Sequence, residues 1–158
     1  MSWPRVFWPS EARSLEERRQ LLRRDGPRLR VIFRNPFKSD VAPLEIDAVV
    51  DSGASCICIS RRIVKELELQ RTGATRMIAV GSDHTAGVYA ATLVVPELDF
   101  DQFLPVVAPD KVHSAPAVLL GRTFLEYFDF SYNGLAGTFT FHREAGHGAP
   151  PSENMEEG

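Results

Sequence analysis

The spacing of apolar residues changes character along the chain. Between Ser10 and Arg24 they are sparse, with Leu15, Leu21 and Leu22 set among charges, and this spacing predicts a helix. Ser14 followed three residues later by Glu17 predicts a capping box, and Asp25-Gly26-Pro27 a stop. From Leu29 the period becomes that of strands. Leu29 to Phe33 and Leu44 to Val50 lie on either side of a loop holding Pro36 and Pro43, and Cys56 to Ile59 is a short apolar run. Ser60 is placed to cap a brief helix over Arg61 to Leu67, and the polar stretch Glu68 to Thr75 follows. Met77 to Val80 and Val88 to Val95 flank Gly81 to Gly87, which has the composition of a hairpin tip. Phe100 to Val107 predicts a strand, Pro109 to Pro116 a loop, and Ala117 to Leu120 a buried run that Gly121 ends. A short helix over Arg122 to Tyr127, a strand over Phe128 to Tyr132 and an Asn133-Gly134 turn into Thr138 to Phe141 complete the series.

About eight short strands with two short helices and no βαβ rhythm predict an all-β protein, either barrel or sandwich. The expected division is a basic helical extension over 1–28, one folded domain over 29–143 and a disordered Gly-, Pro- and Glu-rich tail over 144–158. Charge sets the extension apart: residues 1–34 carry nine arginines against Glu11, Glu16, Glu17 and Asp25, whereas the whole chain has a net charge of −3. Those arginines alternate with glutamates and lack an aromatic stacking pattern, so a solvated helix face is expected and no nucleic-acid partner. No apolar run approaches membrane-spanning length and the proline-broken N-terminus supplies no signal-peptide core, which predicts a cytoplasmic protein without membrane contact. His84, His113, His142 and His147 show no zinc-ligand spacing with the two cysteines, so neither metal nor cofactor is expected. Cys56 and Cys58, two apart on a predicted strand, should share a face with poor geometry for a mutual disulfide and serve as reduced core residues.

The stretch of chemical interest is Asp51-Ser52-Gly53-Ala54, an acid and a turn between two apolar strands. Taken alone it has two readings: an ordinary β-turn, for which these residue types are favoured, or a carboxylate put to chemical use. Its neighbours distinguish them. Ala48-Val-Val-Asp-Ser-Gly-Ala-Ser55, a glycine-flanked hairpin and Val118-Leu-Leu-Gly-Arg-Thr-Phe-Leu125 follow in order, and with Phe128 to Gly134 they cover roughly Leu29 to Arg143. In this order the chain resembles the retropepsin-like family, the retroviral-type single-domain aspartic proteases and their cellular relatives.

The resemblance implies a closed β-barrel of the retropepsin (acid protease) type. It assigns Asp51 as the catalytic carboxylate, with Ser52, Gly53 and Ala54 as the supporting loop. It places Leu119, Leu120, Gly121 and Arg122 beneath the site, and Val80, Gly81, Ser82, Asp83 and His84 in a substrate-covering flap. Arg122 at the start of a helix opposes the helix dipole, which suggests that it anchors a loop or a subunit contact. The implied reaction is hydrolysis of a peptide or protein substrate by two carboxylates acting on water. With one Asp-Ser-Gly in the chain and no internal repeat, the second carboxylate requires a homodimer. The competing expectation is a barrel that binds peptide or dimerises but cleaves little, because fold alone does not give function. The basic extension is expected to be a detachable or regulatory segment.

Overall fold

The computed structural model of the chain describes residues 2–79, 81–111 and 117–144. Val80, His113, His147 and all but the first residue of the tail expected over 144–158 lie outside the described residues.

The strand alternation read from the sequence builds the core. In β2 (Arg28–Arg34) Leu29, Val31 and Phe33 are buried while Arg28, Arg30 and Arg34 face outward. Arg30 bonds Glu45 and Asp47 of β3 (Leu44–Val50) at 3.0 and 3.1 Å, exposed pairs that water screens and that add little beyond register. The other barrel strands are β4 (Cys58–Ile59), β6 (Ser82–Val95), β7 (Phe100–Pro109) and β8 (Val118–Leu120). β2 pairs with β3, β3 with β8, β8 with β4, β4 with β7, β7 with β6, and β6 returns to β2 through Ile32↔Val94. That circuit is a closed six-stranded barrel. The β3–β8 and β4–β7 pairs are parallel and the others antiparallel. Closure leaves the sheet few free edges.

β5 (Arg71–Ala79) stands outside the barrel, paired only with β6 as a long hairpin. Arg71 to Thr75, read from the sequence only as part of a polar stretch, are therefore strand: their side chains are exposed on a ribbon, so polar residues fit and no apolar alternation marks them. The turn is also tighter than the predicted Gly81 to Gly87 tip. Ala79 pairs with Ser82, Gly81 takes φ +78°, and Ser82 through Gly87 belong to β6.

The short helix α2 (Arg61–Glu66) has Ser60 at its N-cap position, but the hydroxyl makes no cap bond. α3 (Arg122–Leu125) follows β8, and β9 (Asp129–Asn133) turns into β10 (Thr138–His142). The hairpin that Asn133-Gly134 signals is present, with Thr138 pairing back to Asn133 across residues 134–137. Within that loop Asn133 Oδ1 accepts the Ala136 N–H at 3.0 Å, and the positive φ falls on Gly137 at +65°.

The N-terminal segment is packed against this body. Its first element, β1 (Arg5–Phe7), was not legible in the sequence; it adds to β10 with Arg5↔Phe141 and Phe7↔Phe139, giving a second sheet β1-β10-β9. Helix α1 (Leu15–Asp25) begins five residues later than the spacing suggested, where Ser14 Oγ accepts the Glu17 N–H at 3.1 Å. The return arm of the box shifts by one: Glu17 accepts from the Arg13 N–H. Gly26 at φ +73° ends the helix, its N–H donating to Leu22 O. Leu22 is 1% exposed and joins the main core. Arg5, also buried, is neutralised by Asp99 at 2.5 Å, and the chain leaving the helix sets Pro27 O to accept the Val50 N–H at 2.8 Å.

Candidate active site

β3 and β8 run parallel, so their C-terminal ends leave the barrel together. The last paired residues are Val50↔Leu120, and the Asp51 N–H extends the ladder one step to Leu120 O at 3.0 Å. The acid therefore begins where regular pairing ends. Its chain then turns back: Ala54 N–H donates to Asp51 O at 3.2 Å, and Gly53 N–H donates to Asp51 Oδ1 at 2.8 Å. A charge-assisted bond from backbone is stronger than a neutral one and fixes the carboxylate without using a side chain. Ser52 and Gly53 are exposed, and Asp51 and Ala54 half-buried.

The element after β8 is clamped against this loop. Arg122 N–H donates to Ala54 O at 2.9 Å, Thr123 N–H to Ser55 O at 3.2 Å, and the Arg122 guanidinium to Ser52 O at 2.9 Å. Gly121 lies where the two segments cross. A Cβ built on it would sit 2.6 Å from Ala54 O and closer still to Cys56 O, so the missing side chain is what allows the contact. Below, Leu120 and Phe124 are buried in the core, and Leu119 bridges Val49 and Cys58 as a half-buried ladder residue. The structure thus brings Asp51, Ser52, Gly53, Ala54, Leu120, Gly121 and Arg122 into one bonded unit.

The flap candidates occupy the far end of the β5–β6 ribbon. Gly81 lies in the turn and Ser82, Asp83 and His84 are the first residues of β6, opposite Ala79, Ile78 and Met77. The β7 pairing reaches Ala86↔Pro109 and the Asp110 N–H still donates to Thr85 O at 3.3 Å, so the rungs from Met77↔His84 outward project as a two-stranded arm. Asp83 pairs with Arg76 across it, and Ile78 beside the turn is 84% exposed.

Two site neighbours escaped the sequence reading. Cys56 and Cys58, expected in the core, are half-buried free thiols with their sulfurs 3.6 Å apart. Ile57 between them is the fully buried residue. Cys56 is held down to about 6 by the hydrogen bond with Cys58, against the cost of burial, with help from Ser55 and the Arg122 charge. Cys58 is pushed up by that same bond, by burial and by the charges of Cys56 and Asp51. The signal that marked them was the C-x-C spacing directly after the Asp-Ser-Gly-Ala loop.

The model of one protein family, described as gag-polyprotein putative aspartyl protease, matches residues 40–127, a span that holds the Asp51 loop, the hairpin and the Gly121 element. The chain belongs to that family. Among solved structures, a retropepsin-like aspartic protease from Rickettsia conorii is 15% identical, with 89% of this chain and 99% of that one covered at a TM-score of 0.54. That likeness establishes the retropepsin-like fold. The EIAV protease, solved with an inhibitor, is 18% identical over 63% of this chain and 85% of its own, at a TM-score of 0.48. The simian foamy virus (mac) protease is 16% identical over 64% and 93%, at 0.44. No curated protein matches the chain. Among the described residues, no helix is long and apolar enough to cross a membrane, and no group of three or more His, Cys, Asp or Glu gathers as a metal site.

Proposed function

We propose that the protein is an aspartic endopeptidase whose active site is completed by a second copy of the chain. The observation that carries this is the holding of Asp51: a carboxylate fixed by the Gly53 N–H, on a loop clamped by Gly121 and Arg122, in a chain of an aspartyl protease family. One such loop supplies one carboxylate, and the chemistry needs two. With Asp51 of each copy facing the other across a two-fold axis, like charges at close range cannot both ionise cheaply, so the pair shares one proton. The ionised member takes a proton from water as it attacks the peptide carbonyl. The protonated member polarises the carbonyl oxygen and supplies the acid. The projection of the β5–β6 hairpin as a two-stranded arm supports a reading of Gly81 to His84 as a flap that closes over an extended peptide and excludes water.

The test is hydrolysis of a broad peptide library by wild type and Asp51→Asn, with solution mass measured for both. Cleavage by wild type, its loss in Asp51→Asn and a dimer in each are expected. Equal turnover by the variant would refute hydrolysis through Asp51, and a strict monomer even with a peptide-like aspartic protease inhibitor, or no cleavage by wild type, would favour a binding module of the same fold.

A further inference from the structure

We propose that Cys56 and Cys58 form a peroxide-oxidised dithiol site, in which closure of a Cys56–Cys58 disulfide displaces the Asp51 loop and turns hydrolysis off. The second half of this proposal rests on the endopeptidase reading; the first does not.

The geometry is that of a thiol pair already in contact. The sulfurs lie 3.6 Å apart and point away from the core residue Ile57, and both side chains retain solvent exposure. A disulfide needs an S–S distance of about 2.05 Å, so the sulfurs must close by roughly 1.5 Å. Cys58 is poorly placed to move, because β4 is held between Val107 of β7 and Leu119 of β8. Cys56 lies outside β4 in a bend, and it is the mobile partner by connectivity. Its own carbonyl rests against Gly121, and the two carbonyls before it, on Ala54 and Ser55, hold the N–H groups of Arg122 and Thr123. Drawing Cys56 toward Cys58 therefore loads the contacts that position Asp51, five residues upstream in sequence.

Hydrogen peroxide is the oxidant. The thiolate form of Cys56, favoured by the Cys58 S–H and the Arg122 charge, attacks the terminal peroxide oxygen; the S–O bond forms, the O–O bond breaks, and hydroxide leaves to be protonated to water. Cys56 is then a sulfenic acid and the peroxide is reduced by two electrons. Cys58 gives up its proton and its sulfur attacks the Cys56 sulfur. The S–S bond forms, the S–O bond breaks, and the departing hydroxide takes that proton as a second water. In sum, two thiols and one hydrogen peroxide give one disulfide and two waters. A disulfide closed across one intervening residue is strained, and strained disulfides are the readily reduced ones, so a dithiol reductant restores the pair.

The experiment treats full-length protein with hydrogen peroxide, then with dithiothreitol, following intact mass, free-thiol count and peptide hydrolysis together. Expected are loss of both thiols with an intramolecular disulfide between Cys56 and Cys58, a fall in hydrolysis of at least about tenfold, and recovery of both on reduction. Cys56→Ser and Cys58→Ser should each retain a single thiol, form no intramolecular disulfide and keep their hydrolysis after peroxide and reductant. Two free thiols after peroxide, or a disulfide that leaves hydrolysis unchanged in an active enzyme, would overturn the proposal. If reduced wild type hydrolyses nothing yet its thiols still close, the endopeptidase reading fails while the dithiol chemistry stands.

Discussion

Replacing Gly121 with alanine tests the physical basis of the site most directly. The backbone there has φ −83°, which any residue adopts, so the penalty is one of space alone. The added methyl carbon would meet Ala54 O at 2.6 Å, with Cys56 O closer, whereas relaxed carbon–oxygen contacts begin at about 3.3 Å. The neighbours are main-chain carbonyls that cannot rotate aside, so the two crossing segments must separate by roughly 0.7 Å or more. Separation lengthens the Arg122 N–H to Ala54 O and Thr123 N–H to Ser55 O bonds, now 2.9 and 3.2 Å. Overpacking costs about 1–3 kcal/mol, and each weakened bond about 0.5–1.5 kcal/mol. The sum, on the order of 2–6 kcal/mol, is a large part of the roughly 5–15 kcal/mol that stabilises a domain. At roughly 2–4 °C per kcal/mol for a chain of this size, Tm should fall by on the order of 10 °C. Hydrolysis should fall as well, because a shift of about 1 Å in a reacting group can cost around 10²-fold. Gly73→Ala is the control: nothing lies within 4 Å of its Cβ position, so its Tm should stay close to that of wild type. Thermal melts by circular dichroism, with peptide hydrolysis at 25 °C, make the comparison. A Gly121→Ala protein melting within about 2 °C of wild type and fully active would refute the reasoning.

The N-terminal helix offers a second contrast. Leu22→Ala removes a side chain that is 1% exposed and should cost about 2–5 kcal/mol in urea unfolding, whereas Leu15→Ala, 50% exposed, should cost well under 1 kcal/mol. Removal of residues 1–27 should likewise lower stability instead of raising hydrolysis, since it deletes Leu22, β1 and the Pro27 carbonyl that holds Val50. Faster hydrolysis by a stable truncated protein would instead support the expected detachable or regulatory segment. For the thiols, only the thiolate is alkylated, and the Cys56 value is lowered to about 6 from an ordinary 9.0. Iodoacetamide should therefore modify Cys56 near its maximal rate by pH 7, with the rate falling as pH drops through about 6. Cys58→Ser, which replaces the S–H donor, should change that midpoint; a wild-type midpoint near 9 would contradict the assignment.

Where the chain alternates apolar and polar residues against a packed face, the sequence was readable. β2, β3, β7, β10 and the barrel half of β6 were visible in this way, as was the Ser14–Glu17 cap, because each depends on neighbours a few residues away. β5 was half hidden because a ribbon exposed on both faces needs no alternation. β1 was hidden because three residues between prolines carry no period, and only the open edge of β10 makes them a strand. The Asn133-Gly134 signal announced the β9–β10 hairpin, but not that the positive φ falls on Gly137, where the helix backbone at Arg18 and Arg19 lies 3.0 Å from the would-be Cβ.

By itself, then, the sequence determined the all-β class, the position of Asp51 between two apolar strands and the order of elements that marks the family. These follow from local pattern and covalent order. Tertiary structure alone decided that Asp51 continues a parallel ladder onto Leu120, that Gly121 is bare because two carbonyls occupy its Cβ space, and that Cys56 and Cys58 touch beside the loop instead of filling the core. Each of those depends on a distance between atoms brought together by barrel closure, and spacing along one chain cannot encode such a distance.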